Sequence, residues 1–296
     1  EWLNALNKHS GESIRFLPKR KIYLLGSDLG FTFPFKSTAM EFPLPMDKVS
    51  VSTEYPSNFC SLTFLSSIWS LVWEDGKVSV VLVATGSFNP PTFMHLRMFE
   101  LARDALQMEG YRVIAGYMSP VSDGYKKPGL IPAEHRLRMC NLACENSDFI
   151  MVDPWEANQS TYQRSLTVLK RIESVFIDQV RISGESLKVM LVCGADLLQS
   201  FSTPGVWIPD QVRTICRDYG IACIRREELD VNQIIAADEI MNQHKDNIKP
   251  VTETVPNMIS STRLRDCISR GLSIKYLTAD SVISYIIEQH LYLGNR

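Results

Sequence analysis

The run Val78-Ser79-Val80-Val81-Leu82-Val83-Ala84 constrains this chain more than any other feature. Aliphatic and β-branched residues follow one another with little polar alternation, the pattern of a strand covered on both faces. Such strands belong to parallel sheets, whose crossovers are usually helices. A turn, Thr85-Gly86-Ser87-Phe88-Asn89-Pro90-Pro91, leads into a helix from about Met94 to Met108, with Leu96, Phe99, Ala102 and Leu106 at helical spacing. Arg112–Met118 reads as a second strand, Ser119–Leu130 as a polar loop, and Pro132 opens a helix to about Glu145. Phe149–Val152 is a short strand, Thr161–Ile177 a helix, and Leu187–Cys193 another buried strand stopped by Gly194. Short helices near Leu197–Phe201 and Asp210–Tyr219, a strand Ile221–Ile224, a helix Asn232–Met241 and a strand Asn247–Val251 follow. Helices at Ser260–Arg270 and Thr278–His290 close the chain.

This alternation predicts an α/β fold: a Rossmann-like, doubly wound parallel sheet in a single catalytic domain, residues 77–296. In such sheets ligands bind beyond the carboxyl ends of the strands. That rule gathers residues 85–95, 119–127, 153–162, 194–207 and 257–265 on one rim, where the polar features also cluster.

Residues 1–76 show no sustained period of 3.6 or 2, and the expectation is an extension outside the catalytic fold, disordered or not natively translated. Met40 is a conceivable start, with Glu41–Pro45 reading as a loose leader. The uncharged stretch Asn58–Trp73 carries Ser61, Ser66, Ser67 and Ser70 and is too polar for a membrane span. Lys plus Arg is 31 against 33 Asp plus Glu, a net charge of −2, which removes any whole-chain electrostatic argument for nucleic acid or an acidic membrane. Seven cysteines, an odd number without CxxC spacing, read as buried thiols of a reducing compartment rather than a zinc site. Cytoplasmic or nuclear residence is the expectation, the nuclear reading resting on Lys19-Arg20-Lys21.

Two motifs carry chemistry. In Gly86-Ser87-Phe88-Asn89-Pro90-Pro91-Thr92-Phe93-Met94-His95, Gly86 permits close backbone approach and the helix start supplies free N–H groups for phosphate. His95 falls in the first helical turn, facing the rim. In Ile259-Ser260-Ser261-Thr262-Arg263-Leu264-Arg265, Ser261 and Arg265 are four apart and share a helix face. Helix N-terminus, hydroxyls and guanidinium together make a polyphosphate site. Taken singly, each motif is equally a plain strand–helix turn or a capped, solvated basic face. The GxGxxG dinucleotide fingerprint is absent.

Together the motifs resemble the nucleotidyltransferase superfamily, marked by a strand–(H/T)xxH–helix element and a later ISSTxxR. Thr92 and His95 fill the first and Ile259–Arg265 the second. GSFNPPTFMH, SPVSDGYKKPGLIPAEHR (Ser119–Arg136), VDPWE (Val152–Glu156) and CGADLLQSF (Cys193–Phe201), in this order, are similar to the eukaryotic, plant-type nicotinamide/nicotinate mononucleotide adenylyltransferases. The similarity runs from about Val80 to Tyr292.

The resemblance implies an enzyme that joins ATP to nicotinamide or nicotinate mononucleotide, giving the dinucleotide and pyrophosphate in NAD biosynthesis. The nucleophile is the mononucleotide's own ionised phosphate, so catalysis is positioning plus charge stabilisation, with no protein base. By position, His95, Lys127 and Arg265 are the catalytic residues that face phosphate. Gly86, Ser87, Phe88 and Thr92 contact the dinucleotide, and Tyr125 belongs to the Lys127 loop. Trp155 is a pocket-wall or structural aromatic. Tyr162 stands where animal members carry a tryptophan against the nicotinamide ring, with Ser165 one turn on along the same face. Gly194 and Asp196 serve the adenosine side, and Val206 and Trp207 the nicotinamide side, Trp207 as stacking partner. Arg226 and Asn257 add substrate contacts, and Ser260, Ser261, Thr262, Arg263, Leu264 and Arg265 hold the triphosphate. Mg²⁺ is implied, held by triphosphate and water without a protein cage. The other partners implied are small-molecule substrates, with a homo-oligomer left open. The alternatives are transfer to another phosphate acceptor, against which Tyr162 and Trp207 argue, and a non-catalytic, chaperone-like binding role, against which His95, Lys127 and Arg265 argue.

Overall fold

The computed structural model describes residues 42–50, 77–180, 186–225 and 229–293. Six parallel strands form one sheet: β1 Ser79–Gly86, β2 Arg112–Pro120, β3 Ile150–Val152, β4 Leu187–Gly194, β5 Ile221–Ile224 and β6 Ile248–Val251. Their order is β3-β2-β1-β4-β5-β6, with every pairing parallel. The run that anchored the sequence argument is β1. Val80, Leu82 and Ala84 join one buried cluster and Val81 and Val83 the other, so both faces of the sheet are covered.

One face packs on α1 (Phe93–Met108) and α2 (Ala133–Cys144), through Phe99, Ala102, Leu106, Cys140 and Cys144. The opposite face packs on α3 (Ser165–Gln179), through Leu169, Ile172 and Phe176. Gly116 lets helix and sheet meet, since an added Cβ would stand 2.9 Å from Phe99 Cδ1. Beyond β4 come α4 (Ala195–Ser200) and α5 (Pro209–Thr214), the latter running on through a π-turn to Tyr219. α8 (Ser261–Ser269) and α9 (Asp280–Glu288) contribute Leu264, Val282 and Ile286 to a third buried cluster with Met139.

The strand order reverses between β1 and β4, the switch point at which doubly wound sheets bind ligands. Val83 pairs with Leu191, so Gly86 and Gly194, equally far along their strands, leave the sheet level with each other.

Three expectations are corrected. The helix expected from Thr161 starts at Ser165, with Arg164 extended at φ −83°, ψ 148°; Tyr162 is therefore a loop residue and shares no helix face with Ser165. The helix expected over Asn232–Met241 is two, α6 (Val231–Ala237) and α7 (Glu239–Gln243). Asp238 breaks it by going extended and accepting the Met241 N–H, a short carboxylate competing with the helix for backbone donors. The third concerns the N-terminal segment. Residues 42–50 pack on the catalytic fold, with Leu44 buried in the core and Met46 and Val49 against it. Ser50 N–H donates to Ile114 O at 2.8 Å, while the short β3 reaches only Gly116–Met118 of β2. Tyr117 Oη donates to Pro45 O, and Lys48 Nζ to Cys144 O, the last carbonyl of α2. The segment lacked a period because single anchors, not a repeating face, hold it. Residues 1–41 and 51–76, with the basic cluster at Lys19 and the stretch from Asn58, lie outside the described residues.

Among the described residues Cys140, Cys144, Cys193, Cys216 and Cys223 are buried and free, and Cys267 is half-buried and free. Burial pushes the Cys144 thiol up to about 12. No helix among the described residues is long and apolar enough to cross a membrane.

Candidate active site

The turn from β1 to α1 is held from several directions through its carbonyls. Gly86 O accepts from Val121 N–H at 2.9 Å and Ser87 O from Arg136 Nη1 at 3.2 Å. Asn89 O accepts from Arg265 Nη1 at 2.7 Å, Pro90 O from Ser261 Oγ at 2.7 Å and Pro91 O from Thr278 Oγ1 at 2.9 Å. Tying these carbonyls into the protein fixes the peptide planes between them. Phe88 is buried at φ +45°, and its ring lies over Gly86, where an added Cβ would be 3.4 Å from Phe88 Cζ. The same ring stands edge-on to His95, 5.2 Å between centroids.

Thr92 caps α1 and is buried, so His95 occupies its first turn. The Thr92 N–H donates to His95 Nδ1 at 2.9 Å, and Thr92 Oγ1 lies 2.8 Å from the same nitrogen. An Nδ1 that accepts an N–H carries no proton in the neutral ring, so the proton resides on Nε2. The sequence spacing thus builds an imidazole N–H donor at a helix N-terminus, where anions are favoured.

The Ile259–Arg265 segment delivers the second set of donors to the same turn. Ser260 caps α8, accepting the Arg263 N–H, and Ser261 and Arg265 share the face that grips Asn89 and Pro90. Arg265 Nη2 also reaches Thr262 Oγ1 at 3.4 Å, and Arg263 is exposed. Leu264 departs from its expected place: its side chain is fully buried in the third core cluster, and its N–H bonds Ser260 O within the helix. Asn257 accepts the Ile259 N–H and donates to Met94 Sδ, pinning the approach to α8 onto α1.

The loops after β2 and β3 pack on each other. Ser122 Oγ donates to Thr161 O at 3.2 Å, and a Cβ on Gly124 would stand 2.8 Å from Tyr162 N. Tyr125 and Tyr162 face each other at 5.2 Å with their planes 32° apart, each 39% exposed. Lys127 is exposed just beyond them, before the Pro128–Gly129 turn. Ser165 is buried and shares a 2.9 Å hydrogen bond with Thr85, so it buttresses the rim from below.

Carboxylates near the rim are occupied. Asp123 pairs with Arg136 Nη2 at 3.0 Å. Asp153, fully buried, pairs with Arg171 Nη1 at 2.7 Å and accepts the Trp155 N–H. Burial pushes the Asp153 carboxyl up and the Arg171 guanidinium down, each opposed by the other's charge. Glu156 accepts from Ser119 Oγ at 2.7 Å, and burial raises its carboxyl to about 8. Trp155 packs inward under Arg171, 5.1 Å from guanidinium to ring centroid, a structural aromatic bracing the loop.

On the other side of the switch point, Gly194 caps α4 in an extended conformation and Asp196 is exposed in its first turn. Trp207 Nε1 donates to Ser200 Oγ at 3.0 Å, its ring edge-on to Phe201 at 4.5 Å, while Val206 is exposed beside it. Arg226 lies outside the described residues.

Sequence reasoning missed two residues. Arg136, fully buried, joins the β1–α1 turn at Ser87 O to the following loop at Asp123 and Ile131 O. Asn89 joins its own turn to Gly129 O. A buried arginine is legible only as an amphipathic helix position that ought to be apolar; the sequence shows Arg136 among Ala133, Met139 and Cys140 on α2.

The sheet order and a rim of hydroxyls, an imidazole and guanidinium groups define an α/β nucleotidyltransferase, and residues 83–267 match the cytidylyltransferase-like family. The chain is 60% identical over 253 residues to the nicotinamide/nicotinic acid mononucleotide adenylyltransferase of Arabidopsis thaliana, covering 86% of this chain and 98% of that one. It is 57% identical over 254 residues to the Oryza sativa subsp. japonica enzyme of the same name (86% and 95%), and 38% identical to the Bos taurus adenylyltransferase 1 (73% and 89%). The solved structure of Plasmodium falciparum nicotinic acid mononucleotide adenylyltransferase, complexed with NaAD, shares the fold at TM-score 0.53 and 17% identity, covering 72% of this chain and 97% of that one. The chain belongs to the nicotinamide/nicotinic acid mononucleotide adenylyltransferases.

Proposed function

We propose that this chain transfers the adenylyl group of ATP to nicotinamide or nicotinate mononucleotide, releasing pyrophosphate, at the rim formed by residues 86–95 and 260–265. The observation that carries the reading is the convergence of His95, its proton held on Nε2 by the Thr92 N–H, and Arg265 on one six-residue turn at the switch point. The names of the relatives support it. A mononucleotide phosphate oxygen forms the new bond to the α-phosphorus of ATP as the bond to pyrophosphate breaks. The attacking oxygen is already ionised, so no base is needed, and the neighbouring Asp123, Asp153 and Glu156 are engaged elsewhere.

His95 donates to a non-bridging phosphate oxygen as charge shifts toward pyrophosphate, and Lys127 and Arg265 hold the triphosphate. Gly86, Ser87 and Gly194 let the dinucleotide lie across the switch point, and Tyr162 and Trp207 flank the pyridine ring. Among the described residues no group of three or more His, Cys, Asp or Glu side chains is placed to hold a metal ion. When present, Mg²⁺ would be held by the triphosphate and water and would offset the triphosphate's charge.

The test uses the full chain with ATP, Mg²⁺ and nicotinamide mononucleotide, with NAD read through alcohol dehydrogenase. NAD and pyrophosphate in equal amounts are expected. Folded protein yielding neither NAD nor, from nicotinate mononucleotide, its deamido counterpart would overturn the reading and direct the search to other phosphate acceptors.

A further inference from the structure

The chain's end returns to the site. After α9, His290 and Tyr292 both adopt left-handed backbone conformations, φ +52° and +63°, which side-chain-bearing residues rarely take. That path brings Tyr292 Oη to Asn89 Oδ1, where it donates at 2.7 Å across 203 residues of sequence. Asn89 is buried, and its other groups are committed too: Nδ2 donates to Gly129 O at 2.8 Å, and its carbonyl accepts Arg265 Nη1 at 2.7 Å. Gly129 lies in the turn that follows Lys127, whose carbonyl accepts the Leu130 N–H. Asn89 therefore stands between the Lys127 loop and the Arg265 helix, and Tyr292 sets which way its amide points. An amide with its oxygen bound to a hydroxyl donor must aim its NH₂ at Gly129 O.

We propose that Tyr292 is a positioning residue for adenylyl transfer, orienting the Asn89 amide so that the Lys127 loop and Arg265 are held together at the triphosphate. The proposal rests on the functional reading above. Phe93 N–H bonded to Leu277 O and Thr278 Oγ1 bonded to Pro91 O show the same C-terminal region clasping the start of α1. Burial raises the Tyr292 phenol well above the usual tyrosine range, in keeping with a hydroxyl that donates at all working pH values.

The experiment is Tyr292→Phe in the full chain, which keeps the ring and removes one hydroxyl. kcat/KM for ATP is expected to fall ~10-fold, with KM for the mononucleotide changed less than ~2-fold. In a Lys127→Ala background the same change should cost less than ~3-fold, because the loop it holds has lost its cation. An unchanged kcat/KM for ATP, or an undiminished loss in the Lys127→Ala background, overturns the proposal. A second readout needs no activity. Trypsin cleavage between Lys126 and Lys127, followed by mass spectrometry, should quicken ~5-fold or more in Tyr292→Phe as Gly129 loses its tether. Unchanged cleavage overturns the proposal even if the wild-type chain makes no dinucleotide, whereas that lack of product alone strikes only the functional reading.

Discussion

Replacing Arg136 with Met would cut the join between the β1–α1 turn and the loop that follows β2. The side chain is fully buried and donates to Ile131 O at 2.8 Å, Ser87 O at 3.2 Å and Asp123 Oδ1 at 3.0 Å. Methionine matches much of the length but offers no donor. Asp123 is largely exposed and regains water, so its loss costs little. The Ser87 and Ile131 carbonyls are left to find new partners, at about 1–3 kcal/mol each. Removing a buried guanidinium also recovers its desolvation cost, which offsets part of that loss. A net destabilisation of about 2–4 kcal/mol follows, or roughly 10 °C in Tm for a domain of this size. Differential scanning fluorimetry reads it directly. Arg136→Lys, which keeps the charge but reaches fewer acceptors, should fall between variant and wild type. A Tm within about 2 °C of wild type for Arg136→Met would refute the reasoning, since the carbonyls would then need no arginine.

Glu156 predicts a pH effect. Its buried carboxyl, near 8, keeps a proton that the unfolded group, near 4.5, has lost, so stability falls as pH rises through that window. Buried Asp153, also raised, acts in the same direction. Glu156→Gln should narrow the drop in Tm between pH 6 and pH 8, and a drop as large as in the wild type would contradict it. His95→Ala should lower kcat by about 10²–10³-fold with Tm nearly unchanged, measured in the coupled assay; near-normal turnover would remove its role. Arg265→Ala should raise KM for ATP more than for the mononucleotide, and Trp207→Ala the reverse. Swapped effects in steady-state kinetics would contradict the site map.

The strands and the polar rim beyond their carboxyl ends were legible because β-branched runs and the turns after them are local signals. The strand–turn–helix with His95 and the Ser260–Arg265 cap declared themselves by spacing, and the structure brings both to one turn. What escaped notice depends on distant partners. Arg136 reads as an ordinary helix arginine until Ser87 and Ile131 fold over it, and Tyr292 means nothing without Asn89. Leu264 sits inside the Ile259–Arg265 motif yet turns to the core, although Ser261, three residues back, and Arg265, the next residue, bond the Asn89–Pro90 carbonyls. Asp238 broke a helix through a capping bond that hydrophobic periodicity does not register.

The nine-residue segment 42–50 around Leu44 has a consequence for anyone shortening this chain. β3 covers β2 only at Gly116–Met118, and Ser50 takes up Ile114 O farther along. A chain begun at β1 would bare that margin of the sheet together with the apolar surface that Leu44, Met46 and Val49 cover. Bare strand margins recruit other strands, so the cut protein would tend to clump into aggregates before any loss of chemistry could be measured.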